Sequence, residues 1–504
     1  MVNLSDYQRR FKSFWNEFKQ SKRGIAGIII ILFFAVIAIM APVLSPLDPM
    51  YPGWQGYYPG ATVQPQAADK LCVPIWYKSL PGGEDLSENI KVVPDHEFSS
   101  KEVFEDEWDV PQNVLYDSTM GTHNGSVKIL YEPEEITTNL TKKFEYPFNN
   151  LPQSYWLHIS AFVEIEGMGE GVQLEEPIPI RLSVHNETGF EFDIVTFECL
   201  YANAWRSSAW SSRNYWIMKY FQTLGTIPVR VFSSPGNYTF NIGVTVNKNQ
   251  TGGNEPTVYV DDAQLLIYGE AFGLLGTDAE FDHPRDLFTM LIYGTRISFM
   301  IGVLCAVLSV LIGLFVGLTT GYLRGIIDEA LMRFADLLMV LPTLPLMIVL
   351  VIVIGSSIWN IVGILIFMGW MGFSRSVRSM VLSLRERQFV EAAKAAGAGK
   401  FYIIQKHILP NVFALVYISL ATSVPGAIIA EASLAWLGLG DASIPSWGNM
   451  FYNYSRAGIA VTRGWQTWFW VLPPGIAITL LAISFILIGF ALDEILNPKL
   501  RQRR

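Results

Sequence analysis

Residues 391–411 read EAAKAAGAGKFYIIQKHILPN, which indicates two short helices joined at a glycine-rich turn. Short side chains at Ala392 and Ala393 give the first helix a smooth face that another surface can approach closely. Gly397 supplies backbone freedom for the turn, and Pro410 is expected to end the second helix because proline lacks a backbone N–H. Long apolar segments lie on both sides of this stretch. A helix pair placed between such segments predicts an element that docks into a partner protein.

The overall composition is that of a membrane protein. Of the 504 residues, 51% are hydrophobic and only 16% are charged, whereas about a quarter are charged in soluble proteins. The net charge of −9 averages two opposite parts, because residues 47–284 hold 33 of the 45 acidic residues but only 13 of the 36 basic ones. This segregation predicts an acidic extracytoplasmic domain attached to a membrane body with basic cytoplasmic loops.

Six apolar segments are predicted to cross the membrane: residues 24–44, 297–322, 331–354, 358–373, 412–430 and 468–492. Basic residues precede the first of them, so its amino end is expected to stay in the cytoplasm. We favour an uncleaved signal anchor over a cleaved signal peptide, because the apolar run is long and APVLSP is a poor cleavage site. Six crossings place both termini and residues 391–411 in the cytoplasm.

The spans divide the chain into a cytoplasmic segment 1–23, a first transmembrane helix 24–44, an extracellular domain 45–284, a core of five further helices 285–496 and a basic cytoplasmic tail 497–504. Alternating apolar and polar residues between about 154 and 270 favour an antiparallel β-sandwich. The predicted fold is therefore an α-helical polytopic membrane protein with six transmembrane helices, plus an all-β, jelly-roll-like extracellular domain inserted between helices 1 and 2.

Two features inside the predicted spans have more than one interpretation. Pro342 and Pro345 lie within the third span, where they either kink the helix for packing or line a pathway. Glu431 lies at the outer end of the fifth span, where a carboxylate is costly and points to a cavity, a partner or the interface. A role of Glu431 in a gate or pathway is one of these hypotheses.

The stretch EAA at Glu391, the glycine at Gly397 and the ILP that ends at Pro410 resemble the EAA loop of ABC importer permeases. In that family the loop, here about residues 385–410, forms the coupling helix that sits in a cleft of the ATPase subunit. Further stretches, among them LIYGTRIS, EASLAWLGLG, PSWGNM and NPKLR, resemble the second-permease subunit of dipeptide and oligopeptide importers. The resemblance implies the following ATPase-coupling residues: Glu391, Ala392, Ala393, Gly397, Phe401, Ile408, Leu409 and Pro410.

The resemblance also implies partners and excludes a catalytic role. The partners would be a second homologous permease, two ATPase subunits that bind ATP and Mg²⁺, an extracellular solute-binding protein and membrane lipids, with no nucleic acid. The chain itself carries no cofactor, since GAGK at Gly397 is not a phosphate-binding loop, which needs GxxxxGK followed by Ser or Thr. We expect a transport subunit in the plasma membrane and no enzyme.

The large outer domain departs from this family and carries its own candidate sites. Asp261 and Asp262 are weak calcium candidates, with ordinary strand-end carboxylates as the alternative. Cys72 and Cys199 could form a disulfide in an oxidising compartment. Five sequons suit a glycosylated and archaeal cell surface, and their acceptors are Asn124, Asn139, Asn186, Asn237 and Asn249.

Three function classes are compared. An ABC importer permease for dipeptides or oligopeptides explains the spans and the Glu391 loop, and the same class of transporter importing oligosaccharides is the alternative for the solute. A membrane-anchored receptor or adhesion protein would leave the later spans unexplained. An integral membrane enzyme is disfavoured because the sequence shows no acid/base or metal cluster.

Overall fold

A computed structural model of the chain describes residues 15–50, 65, 67–122, 125–133, 137–189, 191–211, 231–246, 251, 253–279, 284–323, 325–462 and 464–496. The predicted sequons at Asn124 and Asn249, the start of the segment 1–23 and the tail 497–504 lie outside these residues. The chain forms two compact units, one made of Met1–Met50 with Phe288–Arg504 (the membrane unit) and the other of Tyr51–Leu287 (the outer unit).

The helices, in chain order, are α1 Lys22–Leu44, α2 Lys101–Glu107, α3 Leu287–Leu323, α4 Ile326–Val340, α5 Thr343–Ile354, α6 Ile358–Arg385, α7 Gln388–Ala395, α8 Lys400–Ile403, α9 Leu409–Leu434, α10 Trp447–Arg456, α11 Ile459–Thr462 and α12 Trp468–Leu496. Among the described residues, five helices are long and apolar enough to cross a membrane, and a bent pair makes a sixth if it counts as one span. The sequence had predicted six.

The third predicted span is not a continuous helix. It consists of α4 and α5, which are bent by 97° at the break between them. Leu341 is extended (φ −72°, ψ 138°) and precedes Pro342, because the proline ring disfavours the α conformation at the preceding residue. Pro342 and Pro345 are both exposed within the membrane unit. Pro342 therefore interrupts the helix, and it does more than kink it.

Pro410, in contrast, does not end a helix as the sequence predicted. It lies in the first turn of α9, directly after a π-helical turn at Ile404–Ile408 that joins α8 to α9. In this wider turn the Leu409 N–H donates to the Ile404 carbonyl, five residues back. A missing N–H and a bulky ring are tolerated in the first turn of a helix. The apolar stretch Lys400–Leu439 is consequently continuous.

Close contact of two helices fixes the position of α6, which leads into α7. Gly313, Gly317 and Gly321 recur every fourth residue on α3, a spacing that lets membrane helices approach closely. A Cβ at Gly317 would lie 2.6 Å from the Val377 Cβ, and one at Gly321 would lie 2.7 Å from the Val381 Cβ. Any side chain at these glycines would push α6 away from α3.

An ion pair ties α4 to the same helix. The Arg378 Nε and Nη2 donate to the two oxygens of Asp328 at 2.7 and 2.9 Å. Asp328 is buried, so removing either partner would leave a costly unpaired charge. The pair holds the start of α4 against α6 near its end at Arg385.

The outer unit is a sandwich of two antiparallel sheets. The strands are β1 Ile90–Lys91, β2 Val114–Asp117, β3 Ser126–Leu130, β4 Thr137–Tyr146, β5 Ser154–Ile165, β6 Val172–Asn186, β7 Glu191–Ala202, β8 Trp205–Ser211, β9 Gly236–Thr245 and β10 Pro256–Tyr268. One sheet has the order β2-β3-β10-β5-β8 with β1 on β10, and the other has the order β4-β9-β6-β7. Buried apolar side chains from both sheets form the core between them.

The sandwich begins earlier in the chain than residue 154, because β1–β4 belong to the same two sheets. The residue pattern of β4 does not show which of its side chains face the core. Lys142 occupies an inward position and is buried, where its Nζ lies 2.7 Å from the Glu107 carboxylate. A lysine at a core position breaks the apolar alternation that marks a strand, and only the tertiary partner explains it.

Candidate coupling segment and transport cavity

The residues between Gln388 and Ile408, here named the coupling segment, form α7, a turn and α8 with the following π turn. The C-terminus of α7 is a Schellman motif, in which Ala398 N donates to Ala393 O at 3.0 Å and Gly397 N to Lys394 O at 2.9 Å. Gly397 has φ +81°, the left-handed conformation that the motif requires. This confirms the glycine turn between the two short helices. Gly399 has φ −68° and needs no such freedom.

Three buried side chains anchor the coupling segment to the membrane unit. Val390, Ile403 and Ile408 are fully buried in one apolar cluster with Val377 of α6 and Val412 of α9. The segment is therefore packed against both of these long helices. Ile408, which the resemblance implied as a residue contacting the ATPase, faces this cluster.

The opposite side of the coupling segment is exposed and partly aromatic. Phe401 of α8 is 77% exposed and Tyr402 54%, and Phe389 of α7 is also exposed. Large exposed aromatic side chains next to small ones mark an interaction surface. Glu391 lies in the first turn of α7 and is exposed, as are Ala392 and Pro410, whereas Ala393 and Leu409 are partly buried. The sequence analysis missed Phe389 and Tyr402, although Phe389 lies two residues before the EAA stretch and Tyr402 directly follows Phe401.

Glu431 lies in α9 and is only 5% exposed. Ser446 lines the same cavity as Glu431, and it caps α10 by accepting from Asn449 N at 3.2 Å. Within the described chain, the Glu431 Oε2 has no hydrogen-bond partner. It faces a cavity of about 10 Å³, close to the size that holds one water molecule. Glu431 of α9 and Ser446 before α10 thus line one small cavity.

A larger cavity of about 210 Å³ lies elsewhere in the membrane unit, among α3, α5, α6 and α9. Thr343, the first residue of α5 after the break at Pro342, lines it. The broken third span therefore contributes to this cavity. Pro345 belongs to the same turn of α5 but is not among the residues lining it.

Comparison with known proteins identifies the membrane unit. The model for the binding-protein-dependent transport system inner membrane component matches residues 289–502, and that for the N-terminal TM domain of oligopeptide transport permease C matches residues 10–65. The Bacillus subtilis dipeptide transport system permease protein DppC is 38% identical over 228 residues, which cover 45% of this chain and 69% of that protein. The chain belongs to the peptide ABC importer permease family.

Two further relatives extend the match. The oligopeptide transport system permease protein OppC of Bacillus subtilis is 36% identical over 229 residues, which cover 45% of this chain and 72% of that protein. A probable peptide ABC transporter permease of Sinorhizobium fredii is 38% identical over 246 residues, which cover 49% of this chain and 81% of that protein. The chain is therefore a multi-pass membrane permease of a binding-protein-dependent importer.

The disulfide predicted in the outer unit of this permease is wrong, because Cys72 and Cys199 are both free and buried. The Cys72 Sγ donates to the carbonyls of Asp69 and Gly269, at 3.1 and 3.4 Å. Cys199 packs in the core of the sandwich. Burial raises the pKa of each thiol to about 12, so neither forms a thiolate readily near neutral pH.

Asp261 and Asp262 lie inside β10 at a β-bulge, rather than at a strand end. Both are fully buried, and the Thr122 Oγ1, with a single proton to donate, lies 2.7 Å from one oxygen of each. Among the described residues there is no group of three or more His, Cys, Asp or Glu that could hold a metal ion. The structure thus shows a hydrogen-bonded carboxylate pair where calcium was considered.

Of the five predicted acceptors, Asn139, Asn186 and Asn237 lie among the described residues. Asn139 is exposed on β4, and Asn186 ends β6, where its side-chain oxygen accepts from the Thr188 N–H and hydroxyl. Asn237 is exposed on β9 and donates from Nδ2 to Glu187 at 2.6 Å. Glycosylation of these positions stays a prediction.

The buried Asp261 makes the stability of the outer unit depend on pH. Burial, and then the charge of Asp262, raises its pKa from 3.8 to about 6. The folded state therefore holds this proton more tightly than the unfolded state, and its stabilising effect is lost as pH rises from about 4 to about 6. From this group we expect the free energy of unfolding to fall by about 2 kcal/mol between about pH 4.5 and pH 7.5.

Hydrogen exchange of β10 in the intact chain, corrected for the intrinsic exchange rates, measures this effect. The Asp261→Asn variant is the control, since the difference between it and the wild type isolates Asp261 from other titrating groups. An identical pH dependence in both proteins would contradict the assignment.

Proposed function

We propose that this permease imports dipeptides and oligopeptides and that the coupling segment docks into a partner ATPase subunit. The observation that carries the proposal is the two-sided arrangement of this segment. Phe401, Tyr402 and Phe389 are exposed, while Val390 and Ile403 are buried against the long helices. Such an element transmits the movement of a bound partner to the membrane helices.

Transport would then proceed by alternating access. ATP and Mg²⁺ bind to the ATPase subunits, and closure of those subunits displaces the coupling segment. Because Val390, Ile403 and Ile408 pack with residues of α6 and α9, the long helices move with it between outward and inward openings, as in other two-state transitions. A second homologous permease provides the other half of the pathway, and an extracellular binding protein delivers the peptide.

In this arrangement the coupling segment and both termini face the cytoplasm and the outer unit faces outside. Basic residues of the short loops, among them Arg375, Arg385 and Lys394, support that orientation through the positive-inside rule. Glu431 is part of a gate between α9 and α10 in this proposal, because it lines one small cavity with Ser446, the residue before α10. Glycans on Asn139 and Asn237 would then project from the outer unit.

Reconstitution with the partner permease and ATPases tests the proposal. A tag on this chain is expected to retain both kinds of partner, and proteoliposomes of the complex with a binding protein are expected to take up labelled trialanine with ATP but not without it. Labelled maltotriose serves as the comparison solute, and its uptake in place of trialanine would contradict the peptide assignment. A chain that purifies without ATPases would contradict the role of the coupling segment.

A further inference from the structure

The cavity of about 210 Å³ in the membrane unit is lined by uncharged side chains from four helices, and most of them are short. Among the described residues that line it, none is charged. Ser309 of α3, Thr343 of α5 and Ser423 of α9 contribute hydroxyl groups, and Gly369 and Gly426 contribute bare backbone. A site of this kind can accept a group that is partly polar, partly apolar and uncharged.

Among the described residues, two of the three hydroxyl groups of this cavity make no hydrogen bond to the protein, whereas Ser309 donates to the Ile366 carbonyl at 3.3 Å. Hydroxyls in helices usually bond to a carbonyl of the preceding turn, and Thr320, Thr422 and Thr479 do so at 2.8, 3.1 and 2.8 Å. Within the part of the chain that the structure describes, Thr343 and Ser423 make no such hydrogen bond. Two hydroxyl groups without protein partners, on facing helices of one cavity, are available to a polar ligand.

The volume restricts what part of a solute fits. A cavity of about 150 Å³ holds a molecule of the size of benzene, and sites for complete drug-sized ligands measure roughly 300–1,000 Å³. The cavity here lies between these sizes, so it accommodates one side chain and not a whole peptide.

We propose that this cavity is a subsite of the solute pathway that receives one uncharged side chain of the transported peptide. Thr343 and Ser423 hydrogen-bond to the adjacent peptide backbone. The inference rests on the proposed peptide import. A lipid chain would leave both hydroxyls unpaired, and an ionised side chain would meet no counter-charge among the described lining residues.

Gly426 permits a direct test, because no described atom lies within 4 Å of the position that its Cβ would take. The side chain in Gly426→Leu would therefore extend into the cavity without displacing neighbours near the backbone. Gly363 and Gly372 of α6 have equally open surroundings but do not line the cavity. Gly363→Leu and Gly372→Leu are thus matched controls for adding the same side chain to a membrane helix.

In proteoliposomes of the complete complex, Gly426→Leu is expected to lower uptake of Ala-Phe-Ala at least about tenfold, the range in which pockets discriminate side-chain size. Uptake of Gly-Gly-Gly should change far less, and the two controls should transport both peptides as the wild type does. An equal loss for both peptides, or the same loss in the controls, overturns the subsite. If the wild-type complex transports no peptide, the proposed function itself fails.

Thiol labelling gives a second measurement that does not depend on transport rates. A cysteine introduced by Ser423→Cys should react with a small thiol reagent, and Ala-Phe-Ala should protect it while Gly-Gly-Gly protects it less. Ser433→Cys is the control on the same helix, since Ser433 does not line the cavity. Labelling of Ser423→Cys that neither peptide alters would contradict occupation by a peptide side chain.

Discussion

Replacement of Gly397 with valine is expected to abolish ATP-dependent peptide uptake while the chain remains in the membrane. Gly397 has φ +81° in the Schellman motif that ends α7. This conformation costs an L-residue about 1–2 kcal/mol, and more for a β-branched one. No described atom lies within 4 Å of its Cβ position, so the loss comes from the backbone and not from a steric clash. The strained turn redirects α8 and its exposed Phe401.

Gly399→Val is the matched control for this variant. Gly399 lies two residues away in equally open surroundings, but its φ of −68° suits any residue. The control should therefore retain most of the uptake, and the measurement is uptake of labelled trialanine by each reconstituted complex. Equal transport by both variants, close to that of the wild type, would show that the turn is dispensable for coupling.

A charge reversal at Glu391 complements the backbone variant. Glu391 is exposed in the first turn of α7, where an acid gains about 0.3–1 kcal/mol from the helix dipole. Its reversal to lysine is consequently too mild to unfold the chain, and a loss of uptake would report on the partner surface. Glu386→Lys makes the same charge change before α7 and should have the smaller effect.

Excision of the outer unit is expected to leave the membrane unit assembled with its ATPases while peptide uptake falls strongly. Within the membrane unit, the Ser45 Oγ after α1 lies 2.5 Å from the Thr289 Oγ1 of α3. A short Gly/Ser linker in place of residues 51–284 can therefore close the chain. The coupling segment belongs to the membrane unit, so ATPase retention should match that of the full-length chain.

Pull-down of the ATPases and uptake at a low trialanine concentration separate these two effects. A second deletion with a linker of twice the length controls for strain at the junction. Loss of the ATPases from both deletions would mean that the outer unit supports the assembly itself, and uptake at the wild-type rate would mean that it has no part in delivery.

Local sequence rules predicted some features of the fold correctly, but for others the structure differs from the prediction. Leu341 precedes a proline, and the residue before a proline disfavours the helical conformation. The hydropathy of residues 331–354 nevertheless suggested one continuous span. At Pro410 the sequence predicted the end of a helix, but the structure shows a helix that continues. A π turn at Ile404–Ile408 places the proline in the first turn of α9. Hydrogen bonds five residues apart leave no signature in a residue pattern, so such a turn could not be predicted.

The sequence by itself determined the membrane character and the position of the glycine turn, because hydropathy, charge bias and glycine-rich turns are local properties. Its motifs, through their resemblance to a known family, indicated the class of the protein. Only the tertiary structure decided which side chains meet. It pairs the inward Lys142 with Glu107, keeps Cys72 and Cys199 apart as free thiols, and places Thr343 and Ser423 around one cavity. The physical reason is that these contacts join residues distant in the chain, whose proximity depends on the packing of whole helices and sheets.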